Sequence, residues 1–116
     1  MIKGAHVIIY SSDADADRAF FLDVLEYPHV DAGNGRLFFK LPPAEIAVHA
    51  TEGEPSHEMF LVCDDLKATI DDLESKGVEV VKPPSDQGWG IMSVIRLPGG
   101  SELGLYQPRH PLAFDL

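Results

Sequence analysis

The chain states nearly the same pattern twice. Gly4-Ala5-His6 leads into the apolar run Val7-Ile8-Ile9-Tyr10 and ends at Asp13, and Pro55-Ser56-His57 leads into Met59-Phe60-Leu61-Val62 and ends at Asp64. Each histidine stands at the start of a strand-like run, and each aspartate, seven residues on, is a residue that begins helices. The closing segments match as well. Ala44-Glu45-Ile46-Ala47-Val48-His49 lies on Ser101-Glu102-Leu103-Gly104-Leu105-Tyr106 with the two glutamates in the same place. Two related modules, 1–52 and 53–116, are the simplest explanation. Paired modules bring equivalent side chains from distant stretches toward a shared site, and such sites are where ligands bind.

A length of 116 residues suits one domain with a real core if both modules contribute to it. No apolar stretch approaches the roughly 20 residues a bilayer span requires, and no basic segment followed by a signal-type run opens the chain. The expectation is a soluble, cytoplasmic protein. Cys63 is the single cysteine; it sits in an apolar run, has no internal disulfide partner and reads as a core thiol. The formal charge of -10 disfavours nucleic acid, whose phosphates are held by arginine and lysine, and is compatible with a cationic ligand.

Along the chain, a strand is expected over 5–10, then a helix over about 14–26 with Ala16, Phe20, Phe21, Val24 and Leu25 on one side. Pro28 ends it. Gly33-Asn34-Gly35 is a turn between a short strand near 29–32 and a run over 36–41, and 45–49 closes the unit as a strand. The order is β-α-β-β-β. It returns as a strand over 57–63 and a helix over about 65–76, which carries Leu66, Ile70 and Leu73 on one face and stops at Gly77. A short strand over 78–81, a loop over 83–88, a strand over 90–97, a tight turn at 98–100 and a strand over 102–107 complete it.

Strand alternation puts His6, Ile8 and Tyr10 on one face, and His57, Met59 and Leu61 on a face opposite Phe60 and Val62. If the helices cover the Val7/Ile9 and Phe60/Val62 sides, the two histidines turn toward a common cavity. Neutral imidazoles with one or two carboxylates hold divalent metals and leave room for substrate. Tyr10, Phe38, Trp89, Met92 and Tyr106 are candidates to line an aromatic cleft, with Phe38 and Met92 reading better as core. Trp89, between two glycines in the lengthened loop, has less core to fill and reads as a pocket residue. Arg96 either anchors an anionic group or makes a surface ion pair. No nucleophile elbow, phosphate-cradling glycine loop or paired-cysteine zinc motif is present.

The paired β-α-β-β-β pattern, the opening histidines and the ending Pro98-Gly99-Gly100-Ser-Glu-Leu-Gly-Leu-Tyr-Gln-Pro108 resemble the vicinal oxygen chelate superfamily. That superfamily includes glyoxalase I, extradiol dioxygenases, and fosfomycin- and bleomycin-resistance proteins. The resemblance covers essentially the whole chain. It implies a single α+β domain, 1–116, in which two tandem modules form a pseudo-twofold half-barrel around a central cleft, and a homodimer, with exchanged modules as one arrangement. For an enzyme of this family it implies a metal-dependent lyase or dioxygenase, with iron, manganese, nickel or zinc held by His6, His57 and Glu102, and Glu102 as carboxylate or general base. For a binding protein it implies metal-free sequestration of a drug, as in the bleomycin-resistance members, with Tyr10, Trp89, Tyr106 and Arg96 on the ligand. The chain departs from the family at one place. The closing-strand ligand position falls on Gly104, with Ala47 at its counterpart, and neither binds metal. Glu102 lies two residues earlier, about 6–7 Å along a strand, so a site would have to be rebuilt around Glu102 or His49.

Overall fold

The computed structural model describes residues 6–116. It is a mixed α+β architecture with two antiparallel or mixed sheets and few helices. Asp13 caps α1 (Ala14–Ala19), its carboxylate accepting the Ala16 N–H at 3.1 Å. The helix widens at once into a π-helical turn, Phe20–Val24, where the Leu25 N–H reaches the Phe20 carbonyl at 3.1 Å. That widening lets two consecutive rings, Phe20 and Phe21, both enter the core. β1 (His29–Asp31) and β2 (Leu37–Phe39) form an antiparallel hairpin. Its turn uses positive φ at Gly33, Asn34 and Gly35, with the Asp31 carboxylate accepting the Gly33 N–H at 2.7 Å.

The second half holds the full order strand, helix and three strands: β3 (Phe60–Val62), α2 (Leu66–Ser75), β4 (Glu79–Asp86), β5 (Gly90–Arg96) and β6 (Glu102–Pro108). The sheet order is β3-β6-β5-β4, with β3 parallel to β6 and the other pairs antiparallel. The α2 cap is Asp65, one residue beyond the expected Asp64, and its carboxylate accepts the Ala68 N–H at 3.0 Å. Gly77 ends the helix at φ 83°, the left-handed conformation that costs glycine little. Leu66, Ile70 and Leu73 of α2 then close over Ile95, Leu97, Leu103 and Leu105 and meet Phe20 and Phe21 to make one core. A final 3-10 turn spans Ala113–Asp115. Among the described residues, no helix is long and apolar enough to cross a membrane.

Three expectations are corrected. The strands expected over 5–10 and 45–49 are not formed: residues 6–10 and 45–49 lie outside helix and strand, while Ala5 falls outside the described residues. A strand needs a hydrogen-bonded neighbour, and among the described residues none pairs with these stretches, so Ile46 and Val48 stay 91% and 92% exposed. The loop expected over 83–88 is instead largely strand. β4 runs through Pro83 and Pro84 to Asp86 with register shifts between Val80 and Lys82 and between Lys82 and Ser85, which proline permits because β4 is an edge strand. Finally, the faces of the 57–63 strand are reversed. Met59, Leu61 and Cys63 pack against the core, and Phe60 lies on the open face over Gly104.

One polar clamp joins the two halves. The Asp17 carboxylate, 6% exposed, accepts the Gly99 N–H at 2.6 Å, and the Ser12 hydroxyl donates to the Gly99 carbonyl at 2.5 Å. The fit is close enough that a Cβ on Gly99 would overlap the Ser11 hydroxyl and come within 2.6 Å of Asp17 Oδ2.

Candidate functional site

Because side chains alternate along a strand, β6 buries Leu103 and Leu105 toward the core and turns Gly104 and Tyr106 to the open face of the sheet. Phe60 and Val62 of β3 stand beside them in register, Phe60 opposite Gly104 and Val62 opposite Tyr106. Two glycines shape this face. A Cβ on Gly104 would overlap the Phe60 ring, and a Cβ on Gly90 would lie 2.5 Å from Tyr106 Cε2 and 2.8 Å from the Gln107 carbonyl. Both rings therefore rest where side chains would otherwise project. Phe60 meets Tyr106 edge to face at 6.3 Å and 72°, Trp89 meets Tyr106 at 5.3 Å and 74°, and His110 tilts against Tyr106 at 5.7 Å and 45°. The two T-shaped contacts of Tyr106, with Phe60 and Trp89, are the arrangement ring quadrupoles favour.

Trp89 is 50% exposed and is held by its own loop. The Gln87 N–H bonds the Gly90 carbonyl at 2.8 Å, and the Gly88 N–H bonds Asp86 at 2.8 Å. Arg109 grips the Asp86 carboxylate with two nitrogens, at 2.6 and 2.8 Å, while its backbone N–H bonds the Trp89 carbonyl at 3.0 Å. The guanidinium hydrogen bond, helped by the Gly88 N–H, lowers the Asp86 carboxyl to about 2, and Asp86 in turn raises Arg109. Such a forked pair fixes direction as well as charge.

At the end of the row, the Tyr106 hydroxyl and His110 Nε2 are hydrogen-bonded, and His110 Nδ1 lies 2.7 Å from the Pro111 carbonyl. Partial burial pushes the Tyr106 phenol up, and the nearby Glu45 carboxylate adds to this. Glu45 is itself tied to the C-terminal turn, accepting the Ala113 N–H at 2.8 Å. A hollow of about 770 Å³ lies mainly on the other face of the sheet, lined by residues that include Tyr27, Cys63, Leu73, Leu105, His110 and Leu112. It reaches the open face through Val62 and His110, and neither Phe60, Trp89 nor Tyr106 lines it. The Cys63 thiol there is half-buried and raised chiefly by burial, which makes it a poor nucleophile. The aromatic row carries the directed polar groups and is the stronger candidate.

Of the residues singled out in the sequence, Trp89 and Tyr106 come together. The others do not join them. Tyr10 is 88% exposed. Arg96 is engaged by Glu79 at 3.1 Å and by the Gly100 carbonyl at 3.1 Å, which satisfies the surface-pair reading. His6 stacks edge-on against Phe38 at 5.0 Å and 81°, His57 is exposed, and Glu102 is exposed opposite Arg96. Among the described residues, no group of three or more His, Cys, Asp or Glu side chains is placed to hold a metal ion. Nor does the donor set fit one, since the closing-strand ligand position is Gly104 and the Phe60 ring fills the space a ligating side chain needs there. Phe60, Asp86, Gly90, Arg109 and His110 were not anticipated as parts of this site. Isolated glycines within strands, Gly90 and Gly104, are the signal for such a close approach, whereas His110 lies beyond the strand end where no periodicity points to it.

The sequence profile of the Glyoxalase/Bleomycin resistance protein/Dioxygenase superfamily matches residues 3–105, and the chain belongs to that superfamily. No curated protein matches it in sequence. Among solved structures, a lactoylglutathione lyase from Agrobacterium tumefaciens superimposes with TM-score 0.65 at 17% identity, over 90% of this chain and 92% of that one. An antibiotic binding protein from Streptomyces sp. CB03234 gives TM-score 0.63 at 23% identity over 93% and 99%. A superfamily member from Sphaerobacter thermophilus gives 0.66 at 20% over 91% and 98%. At these identities the likeness is one of fold.

The Asp86–Arg109 pair has a pH signature. A carboxyl lowered on folding contributes stability above its ordinary value of 3.8 and loses it as pH falls through about 2. The chain has one tryptophan, so emission should change as Trp89 is released in that window while α2 ellipticity holds. In Arg109→Met the released state is already present at neutral pH and the step disappears. An identical titration in the variant would show that the pair does not position Trp89.

Proposed function

We propose that this chain is a metal-independent binding protein for planar aromatic small molecules, taken onto the Phe60–Tyr106–Trp89 face. The observation that carries this reading is the Phe60 ring lying over Gly104, because a ring occupies the place from which the family's metal-binding carboxylate would project. The superfamily fold serves both a lactoylglutathione lyase and an antibiotic binding protein, so the fold does not choose between the readings. The residues do. A metal-dependent lyase or dioxygenase would require His6, His57 and Glu102 to converge and Phe60 to leave. A binding protein needs a part-exposed aromatic surface, for which Trp89 is half in solvent and fixed in direction. The charge of -10 draws cationic ligands at longer range.

Calorimetry with proflavine, a planar tricyclic cation, on metal-stripped protein tests this. Saturable binding is expected. Losing one stacked ring costs about 1–3 kcal/mol, so Trp89→Ala or Phe60→Ala should weaken binding about tenfold. No saturable binding, or binding that appears only after reconstitution with iron, manganese, nickel or zinc, would contradict the reading.

We infer also that the working form is a homodimer in which the tandem modules are completed between copies. Residues 6–10 and 45–49 have strand composition yet, among the described residues, no strand partner, and Ile8, Ile46 and Val48 are exposed within them. Unpaired apolar edges of this kind associate. Sedimentation equilibrium should give twice the 12.7 kDa chain mass, reduced to one in Ile46→Glu/Val48→Glu; a wild-type monomer at micromolar concentration would refute the dimer.

A further inference from the structure

We infer that the Tyr106–His110 pair sets the hydrogen-bond polarity of the site, so that it accepts aromatic ligands offering an O–H or N–H donor and disfavours those offering only an acceptor. This rests on the binding reading above and specifies the class of ligand. His110 Nδ1 lies 2.7 Å from the Pro111 carbonyl, and a carbonyl has no hydrogen to give, so the proton sits on Nδ1. In the neutral imidazole Nε2 then carries a lone pair, and the Tyr106 hydroxyl bonded to it must be the donor. Its one hydrogen is spent. What Tyr106 has left to offer a ligand is oxygen lone pairs.

The surroundings reinforce this polarity. Glu45, the charged group that acts on Tyr106, is also an acceptor, and one of its oxygens is already taken by the Ala113 N–H. The neighbouring cation cannot reverse it, because Arg109 is committed to Asp86 and to the Gly88 carbonyl. The ring contacts fix where the ligand group would stand. Tyr106 is held between Phe60 and Trp89, so a planar molecule lying along those rings brings its edge to the hydroxyl. A donor there gains a hydrogen bond. An ether oxygen faces another lone pair and loses its water for nothing.

Two neutral probes with the same bicyclic ring separate the cases: 2-naphthol, which has an O–H, and 2-methoxynaphthalene, which has only an acceptor. Equilibrium dialysis at pH 7.5 should show the wild type holding 2-naphthol about tenfold tighter, the scale of one hydrogen bond to a desolvated group. In Tyr106→Phe, which keeps the ring, the two affinities should come within about threefold, with 2-methoxynaphthalene unharmed. His110→Leu releases the Tyr106 hydrogen for donation outward, so 2-methoxynaphthalene should gain severalfold. The ratio of affinities is the readout because a general loosening of the site lowers both together. Equal affinities in the wild type, or a ratio unchanged in Tyr106→Phe, overturn the polarity inference and leave the binding reading standing. If neither probe binds, both fall.

Discussion

Two missing Cβ atoms, at Gly90 and Gly104, decide what the open face of the sheet can be. With any larger residue at 104 the Phe60 ring has to lift, and with any larger residue at 90 the Tyr106 ring does. With glycine at both, the rings lie against the backbone and meet edge to face, contacts worth about 0.5–1.5 kcal/mol each beyond their buried area. Everything else in the candidate site follows from that placement. Trp89 reaches Tyr106 because its loop is pinned by Asp86 and Arg109, and His110 reaches the Tyr106 hydroxyl because the chain turns back after Pro108. The same packing removes the space for a metal-ligating side chain on the closing strand.

The frame behind this face is held by a contact between distant parts of the chain. α1 is only six residues long, too short to persist in water by itself, and its position depends on what it touches. Asp17 and Ser12 bind both polar groups of Gly99, in the turn that joins β5 to β6. Breaking a buried hydrogen bond of this kind costs about 1–3 kcal/mol, a sizeable part of the stability of a small domain. Phe20 and Phe21 thereby join Leu97 and Leu103 in the shared core. Among the described residues, Asp17 Oδ2 and Ser101 Oγ are buried there with no hydrogen-bond partner, so the clamp is made at some cost.

Local features of the fold were legible in the sequence and non-local ones were not. The Asp13 cap, the helical stripe through Phe20, Phe21 and Val24, the Gly33-Asn34-Gly35 turn and the Gly77 stop each depend on a few neighbouring residues, and each stands where it was expected. The strands over 5–10 and 45–49 have the right composition, but a strand exists only with a partner, which composition does not supply. The faces of the 57–63 strand were read the wrong way round, because alternation says which residues share a face and not which face the helix covers. In the site, Trp89 stood out as a large ring between two glycines, and Tyr106 only as one of several rings with the composition of an aromatic cleft. Arg109 and His110 act through contacts beyond the end of β6 that leave no trace in spacing, and the metal set of His6, His57 and Glu102 rested on a repeat whose closing position had already changed to Gly104.

If the ring row over Gly90 and Gly104 is the binding surface, the glycines themselves report on it. In a proton NMR titration with 2-naphthol, the α-protons of Gly104 and Gly90 should start shifted upfield by the rings above them and move together as ligand is added, while those of Gly33, Gly35 and Gly77 stay still. Unmoved Gly90 and Gly104 signals, with shifts confined instead to Cys63, Leu73 and the other residues around the hollow behind the sheet, would contradict it.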